Sequence, residues 1–213
     1  MTDPQDPPPP PSPAAIELGD GLRLQQFIDD DAEALFAVID GFRGALLPYM
    51  RWALDVKSPA DMRELIGRWT EQTQTTGAVS LGVELEGRWV GAVFHLRPNA
   101  EDRNVEIGYW LAPVARGRGV ATRAVRALFD WTFRELDYRR AYLRIAAHNA
   151  PSIALAERLG LEREGVMRDL WQIEPGVWWD GVVFAGTADR WPPRDTPRHP
   201  QSQPSESEPQ ETA

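Results

Sequence analysis

The chain has 213 residues, 42% of them apolar, a size that suits one domain with or without tails. Its 23 basic and 32 acidic residues give a net charge of −9, which argues against sequence-independent nucleic-acid binding, because that depends on neutralising phosphates. There is no cysteine, which removes disulfides, thiolate metal sites and covalent catalysis through a cysteine.

The two ends differ from the middle. MTDPQDPPPPPSP (1–13) is mostly proline, and PPRDTPRHPQSQPSESEPQETA (192–213) is rich in Pro, Ser, Gln and Glu. Neither buries enough apolar surface to offset the entropy of ordering, so both read as disordered tails around one folded domain at 14–191. The start has no basic segment followed by an apolar one, and no run is long enough to span a bilayer. The expectation is a soluble cytoplasmic protein without a membrane partner.

Leu22 to Phe27 reads as a strand. Asp29, Asp30 and Asp31 offer N-caps to a helix carrying Leu35, Phe36, Val38 and Ile39. GFRGALLPYMRWA follows with no clean period. Ser58, Pro59 and Asp61 then open a second helix whose apolar stripe is Met62, Leu65, Ile66 and Trp69. AVSLGVEL and RWVGAVFHL are strands separated by Glu86-Gly87, a tight-hairpin signal. NVEIGYWL alternates Val105, Ile107, Tyr109 and Leu111 against Glu106, Gly108 and Trp110, so it is the fourth strand, with Glu106 opposite Val105 and Ile107. A helix runs from Val120 to Leu136. AYLRIAA (141–147) is the fifth strand, APSIALAERLG a short helix stopped by Gly160, and Glu164 to Trp171 and Val182 to Ala185 a final strand pair. The order is α+β, around a mixed sheet.

VARGRGVA (114–121) places two glycines, Gly117 and Gly119, at the mouth of the long helix. A helix N-terminus has unpaired backbone N–H groups and the positive end of the dipole, and glycine lets phosphate oxygens approach them. The segment lacks the Gly-Lys-Ser/Thr of a nucleotide-triphosphate loop. It also has Thr122 where a dinucleotide fold needs a third small residue. Eight arginines against three acids lie between Arg116 and Arg144, which is either a solvated helix face or a pocket for a small polyanion.

Arg116-Gly117-Arg118-Gly119-Val120-Ala121 resembles the Arg/Gln-x-x-Gly-x-Gly/Ala signature of the GNAT superfamily of acyl-CoA-dependent N-acetyltransferases. EIGYWLAPVARGRGVATRAVRALFDWTFREL is similar to that family's fourth strand, pyrophosphate loop and third helix. LRIAAHNAPSIALAERLGLEREGVMRD is similar to the next strand, helix and strand of its RimJ/RimL branch, and LLPYMRWA, less specifically, to a substrate-side segment of the same branch. The resemblance implies a GNAT fold, with helices on both faces of a mixed central sheet and a splayed cofactor gap between the fourth and fifth strands. It further implies acetyl-CoA as co-substrate, its pyrophosphate held by the backbone of Arg116, Gly117, Arg118, Gly119, Val120 and Ala121. The pantetheine arm would pair with strand backbone near Trp110 and Leu111 and touch Asn149, with Arg118 and Arg123 as phosphate partners.

Acetyl transfer to an amine needs a base, a held oxyanion and a proton for the leaving thiol. In this family a carboxylate on the fourth strand commonly serves as base or positions the base water, which points to Glu106; the alternative is a structural partner for an arginine. Ser152 is the candidate proton donor. A backbone N–H near Leu111 is the candidate oxyanion partner. His148 titrates in the right range but lies beside the motif, where a cap or surface role competes. His95, His148 and His199 stand well apart and suggest no metal site. Tyr49, Arg51, Trp52, Trp171, Trp178 and Trp179 are candidate acceptor-pocket residues, each equally able to be packing. The acceptor expected from the resemblance is a protein or peptide N-terminus such as that of a ribosomal protein, attacked in a ternary complex. A small amine or antibiotic, and a non-catalytic acyl-CoA-binding module, stay open as alternatives. A homodimer is expected on the resemblance alone.

Overall fold

The computed structural model describes residues 15–192; the tails read at 1–13 and 192–213 lie outside the described residues, Pro192 excepted. One sheet of eight strands organises the rest: β1 (Ala15–Gly19), β2 (Leu22–Gln26), β3 (Ser80–Leu85), β4 (Arg88–Asn99), β5 (Asn104–Leu111), β6 (Arg140–Ala146), β7 (Glu162–Glu174) and β8 (Val177–Thr187), in the spatial order β1-β2-β3-β4-β5-β6-β8-β7. Every pairing is antiparallel except β5 with β6.

Turn chemistry sets the hairpins. Asp20-Gly21 and Glu86-Gly87 each place both residues at positive φ, the geometry that matches the twist of a two-residue hairpin. The first of these builds a strand the sequence reading lacks: β1 forms the sheet edge ahead of the expected first strand. The expected fourth and fifth strands are therefore β5 and β6. The last two strands are also longer than expected, running together to the turn at Pro175-Gly176.

Five helices cover the sheet. On one face α1 (Ala32–Asp40), α2 (Arg43–Leu46) and α3 (Pro59–Thr76) bury Leu35, Ile39, Met62 and Ile66 against Phe27, Phe94 and Trp110. Ser58 caps α3 by accepting the Asp61 N–H at 3.2 Å. On the other face α4 (Val120–Arg134) and α5 (Ala150–Arg158) close the larger core, with Leu128 and Phe129 fully buried against Val105, Ile107, Leu143 and Phe184.

The parallel junction positions the site. β5 and β6 pair only at Asn104↔Arg140, Val105↔Ala141 and Glu106↔Tyr142. Beyond that rung β5 stays with β4 as far as Gly91↔Leu111, while β6 stays with β8 as far as Ala146↔Gly181. The two halves of the sheet part at Glu106 and leave an opening between them.

Candidate active site

A cleft of about 500 Å3 lies where the sheet parts. Glu106 sits at its apex, on the last paired rung, and is only 5% exposed. A carboxylate so buried needs charged partners, and two arginines supply them. Arg97 Nη1 donates to Oε2 at 2.6 Å and Arg144 Nε donates to the same oxygen at 3.0 Å. The Arg144 side chain is mostly buried, and its guanidinium carbon lies 5.8 Å from the Trp171 ring centre. Arg97 comes from an irregularity in β4 between Leu96 and Asn99, where its φ is +50°, and its side chain is 61% exposed. All recorded bonds to Glu106 fall on Oε2.

Three residues further along β5, Tyr109 donates its phenolic O–H to Ser152 Oγ on α5 at 2.8 Å. Burial pushes the Tyr109 phenol above its ordinary value, while the Ser152 hydrogen bond opposes the shift. Tyr109 therefore stays protonated at neutral pH and holds the serine oxygen as an acceptor, leaving the serine proton free to point elsewhere. Asn149 is the N-cap of α5, its side chain accepting the Ser152 N–H at 3.4 Å. Glu106, Tyr109, Asn149 and Ser152 all line the cleft. The sequence reading found three of these four. Tyr109 was visible only as an apolar-face residue of β5, because its partner belongs to a helix beyond β6.

The loop ahead of α4 lies past the end of β5. Gly117 and Gly119 have φ of +73° and +72°, and a Cβ built on either would meet nothing within 4 Å. Glycine is required there by the left-handed backbone, not by crowding. Gly119 is the N-cap of α4, and no side chain caps the helix, so the first-turn N–H groups, with Val120 and Ala121 among their residues, remain for a ligand. Arg116 leans back to the Leu111 carbonyl at 3.4 Å. Arg118 pairs with Glu86 at 2.9 Å. Arg123 is tied to the β1–β2 turn through the Leu18 and Gly19 carbonyls and Asp20.

The arginine-rich stretch does not make one patch. Arg134 pairs with Asp130, Arg139 with Asp189, Arg140 with Glu164, and Arg126 lies over Trp191. Trp110 and Leu111 carry the free β6-facing edge of β5, since no strand pairs there beyond Glu106. The Trp110 indole is buried against Phe42 in the α1–α3 layer, and its Nε1 has no hydrogen-bond partner.

Aromatic side chains form the cleft rim. Tyr49, Trp52, Trp171 and Trp179 line it together with Arg51, whereas Trp178, 49% exposed, stands outside. Tyr49 and Trp179 rings are 5.7 Å apart, and the exposed His148 meets Trp179 edge-on at 4.1 Å. His148 thus belongs to the rim and is not among the cleft's lining residues. Arg51, in a short turn of helix at Arg51–Leu54, bonds the Gln172 carbonyl at 2.7 Å and so fastens this segment to β7. Among the described residues no three His, Cys, Asp or Glu cluster to hold a metal, and no helix is long and apolar enough to cross a membrane.

An uncapped helix mouth and a parted parallel junction adjoin a cleft lined by a carboxylate and a hydroxyl pair. Comparison with known proteins agrees with the sequence resemblance. The family model described as "Acetyltransferase (GNAT) domain" matches residues 21–162. The "Putative ribosomal N-acetyltransferase YdaF" of Bacillus subtilis (strain 168) is 31% identical over 154 residues, which is 72% of this chain and 84% of that protein. The ribosomal-protein-serine acetyltransferase of Escherichia coli (strain K12) is 24% identical over 153 residues, covering 72% and 86% respectively. A solved structure of RimL, a ribosomal alpha-N-protein acetyltransferase in complex with coenzyme A, superposes with a TM-score of 0.77 at 21% identity, over 81% of this chain and 97% of that one, and supports the fold. The chain belongs to the GNAT family of acetyltransferases and falls on its RimJ/RimL-like side.

Proposed function

We propose that this acetyltransferase acts on the N-terminal amine of a protein or peptide, and that a ribosomal protein is its acceptor class. The observation that carries the reading is the parted β5/β6 junction, with Glu106 at its apex and the Tyr109–Ser152 pair lining the same cleft. The naming of relatives as ribosomal-protein acetyltransferases supports the choice of acceptor. The residues fit acetyl-CoA: the uncapped first turn of α4 suits a pyrophosphate, and the open edge of β5 suits an amide-bearing arm. When bound, acetyl-CoA supplies an acetyl thioester and a thiol leaving group.

The chain's own groups then divide the work. Backbone N–H groups from Arg116 to Ala121 hold the diphosphate, and β5 backbone at Trp110 and Leu111 with Asn149 orients the arm. Glu106 accepts a proton from the acceptor amine, directly or through water; a free α-amine with a pKa of about 8 needs only a modest base. Ser152 gives its proton to the leaving sulfur, held in orientation by Tyr109. A β5 N–H near Leu111 faces the developing oxyanion.

The test is thiol release from acetyl-CoA across peptides of varied first residue, polyamines, aminoglycosides and amino acids, with products identified by mass. Peptide preference supports the reading. Preference for a small amine moves the function to metabolism or resistance, and binding without turnover makes the chain an acyl-CoA-binding module. Glu106→Gln and Ser152→Ala each lower kcat by about 10²-fold or more if the roles are right; turnover unchanged at every pH in the double variant overturns the mechanism. A cytoplasmic site of action and a homodimer complete the proposal. Cell fractionation checks the first, and a clean monomer mass by light scattering at micromolar concentration overturns the second. Sheet extension through β7 is a poor route to that dimer, because this edge strand breaks register at three points.

A further inference from the structure

The cleft holds more positive charge than its one carboxylate balances. Arg51, Arg97 and Arg144 line it with Glu106, in a chain whose net charge is −9. Arg97 and Arg144 both spend their contact on Glu106. Arg51 is exposed, donates to the Gln172 carbonyl, and forms no ion pair among the described residues. Unlike other exposed arginines without an acidic partner, Arg51 lines the cleft. The phosphate-side arginines do not explain the excess, since Arg116, Arg118 and Arg123 lie at the α4 mouth beyond Leu111 and are not among the cleft's lining residues.

We infer that the acceptor is an N-terminus with carboxylates among its first few residues, read by Arg51 and Arg97. This rests on the acetyltransferase function proposed above. Two physical effects support it. A cationic cleft attracts a chain bearing Asp or Glu and repels one bearing Lys or Arg. The same guanidinium groups disfavour an ammonium ion beside them, so they favour the neutral amine that attacks. Polyamines and aminoglycosides carry several ammonium groups at once and are poor fits to such a site. The aromatic rim of Tyr49, Trp52 and Trp171 offers apolar faces for the backbone of a short extended peptide.

The experiment compares peptides with one first residue and with acidic, neutral or basic residues at the next three positions, plus spermidine. It reads kcat/KM by thiol release at low and high ionic strength, for the wild type and for Arg51→Glu. Acidic peptides lead neutral ones by roughly three- to tenfold, the size of one or two partly exposed ion pairs, basic peptides and spermidine trail, and salt compresses the order. Arg51→Glu removes two units of positive charge and flattens the order; its acetyl-CoA affinity by calorimetry reports that the protein is folded. Equal turnover of all three peptide classes, or an order that survives unchanged in Arg51→Glu, overturns the inference and leaves the acetyltransferase function standing. Thiol release from none of the acceptors overturns both.

Discussion

His95 makes the stability of this fold depend on mild acid. The residue is 2% exposed, in the middle of β4. Its Nδ1 accepts the Val79 N–H at 3.3 Å, and its Nε2 lies 2.8 Å from Thr132 Oγ1, which in turn donates to the Leu128 carbonyl. Thr132 has spent its proton, so Nε2 carries the hydrogen and the ring is neutral with both nitrogens satisfied. Burial pushes its pKa down from 6.5 to about 3. The unfolded chain then binds a proton that the native state refuses. The His95 contribution is complete above pH 6.5 and is lost steadily as pH falls toward 3. At ~1.4 kcal/mol per pH unit, about pH 5 costs ~2 kcal/mol relative to neutral pH, or roughly 4–8 °C in Tm for a domain of this size. The carboxyls of Asp61, Glu164 and Asp189, all held below their ordinary range by hydrogen bonds, lose their contributions only below about pH 4. Urea unfolding at three pH values between about 7.5 and 5, for the wild type and His95→Gln, separates the effect. His95→Gln loses ~1–3 kcal/mol at neutral pH through the broken pairing with Val79 and Thr132, and the two proteins converge toward pH 5. Parallel curves would refute the reasoning, because the slope would then belong to other groups.

Three further outcomes follow from single distances and angles. Gly119→Ala keeps clear space around the new methyl but forces an L-residue to φ +72°; it costs ~1–2 kcal/mol in urea unfolding and weakens acetyl-CoA binding by calorimetry. Tyr109→Phe removes the donor to Ser152 and lowers kcat roughly fivefold, about one neutral hydrogen bond, with the KM for acetyl-CoA unchanged; an unchanged kcat removes Tyr109 from the site. Gly108→Ala would place a Cβ 2.2 Å from Phe94 Cε2, so it costs ~1–3 kcal/mol by overpacking and raises the acceptor KM as Phe94 shifts into the cleft.

What the sequence disclosed and what it hid follow from burial and range. β5 is legible to the residue, because Val105, Ile107, Tyr109 and Leu111 alternate in the sequence and Val105 and Ile107 are buried in the α4-side core. That alternation also put Glu106 on the correct face. β1 escaped because it is a half-exposed edge strand with no apolar run, although Asp20-Gly21 marked its hairpin. The strand expected at Glu164 to Trp171 is present as part of β7, and only its ends, Glu162–Arg163 and Gln172–Glu174, lie beyond what the sequence marks. The sequence marks the glycine loop, and the structure adds a second reason for it, a backbone at positive φ that only glycine adopts without strain.

An arginine partner for Glu106 is among the sequence's own alternatives, and Arg97 and Arg144 fill that place, but which arginines they are, and that Tyr109 is the partner of Ser152, the sequence does not disclose. Arg97 reaches Glu106 only because an irregularity in β4 turns it at positive φ, and a local break in pairing leaves no periodic trace. Tyr109 reaches Ser152 only because β5 and β6 part, so a strand residue meets the first turn of the helix that follows the next strand. One feature therefore does two jobs. The parted junction opens the sheet beyond Glu106, and it also lets Tyr109 reach Ser152, so that the carboxylate and the hydroxyl pair line one cleft. A variant that restored pairing beyond Glu106↔Tyr142 would close the cleft and separate Tyr109 from Ser152 together. On the roles proposed above, such a variant would lose cofactor binding and proton delivery together, whereas Tyr109→Phe would touch only the second.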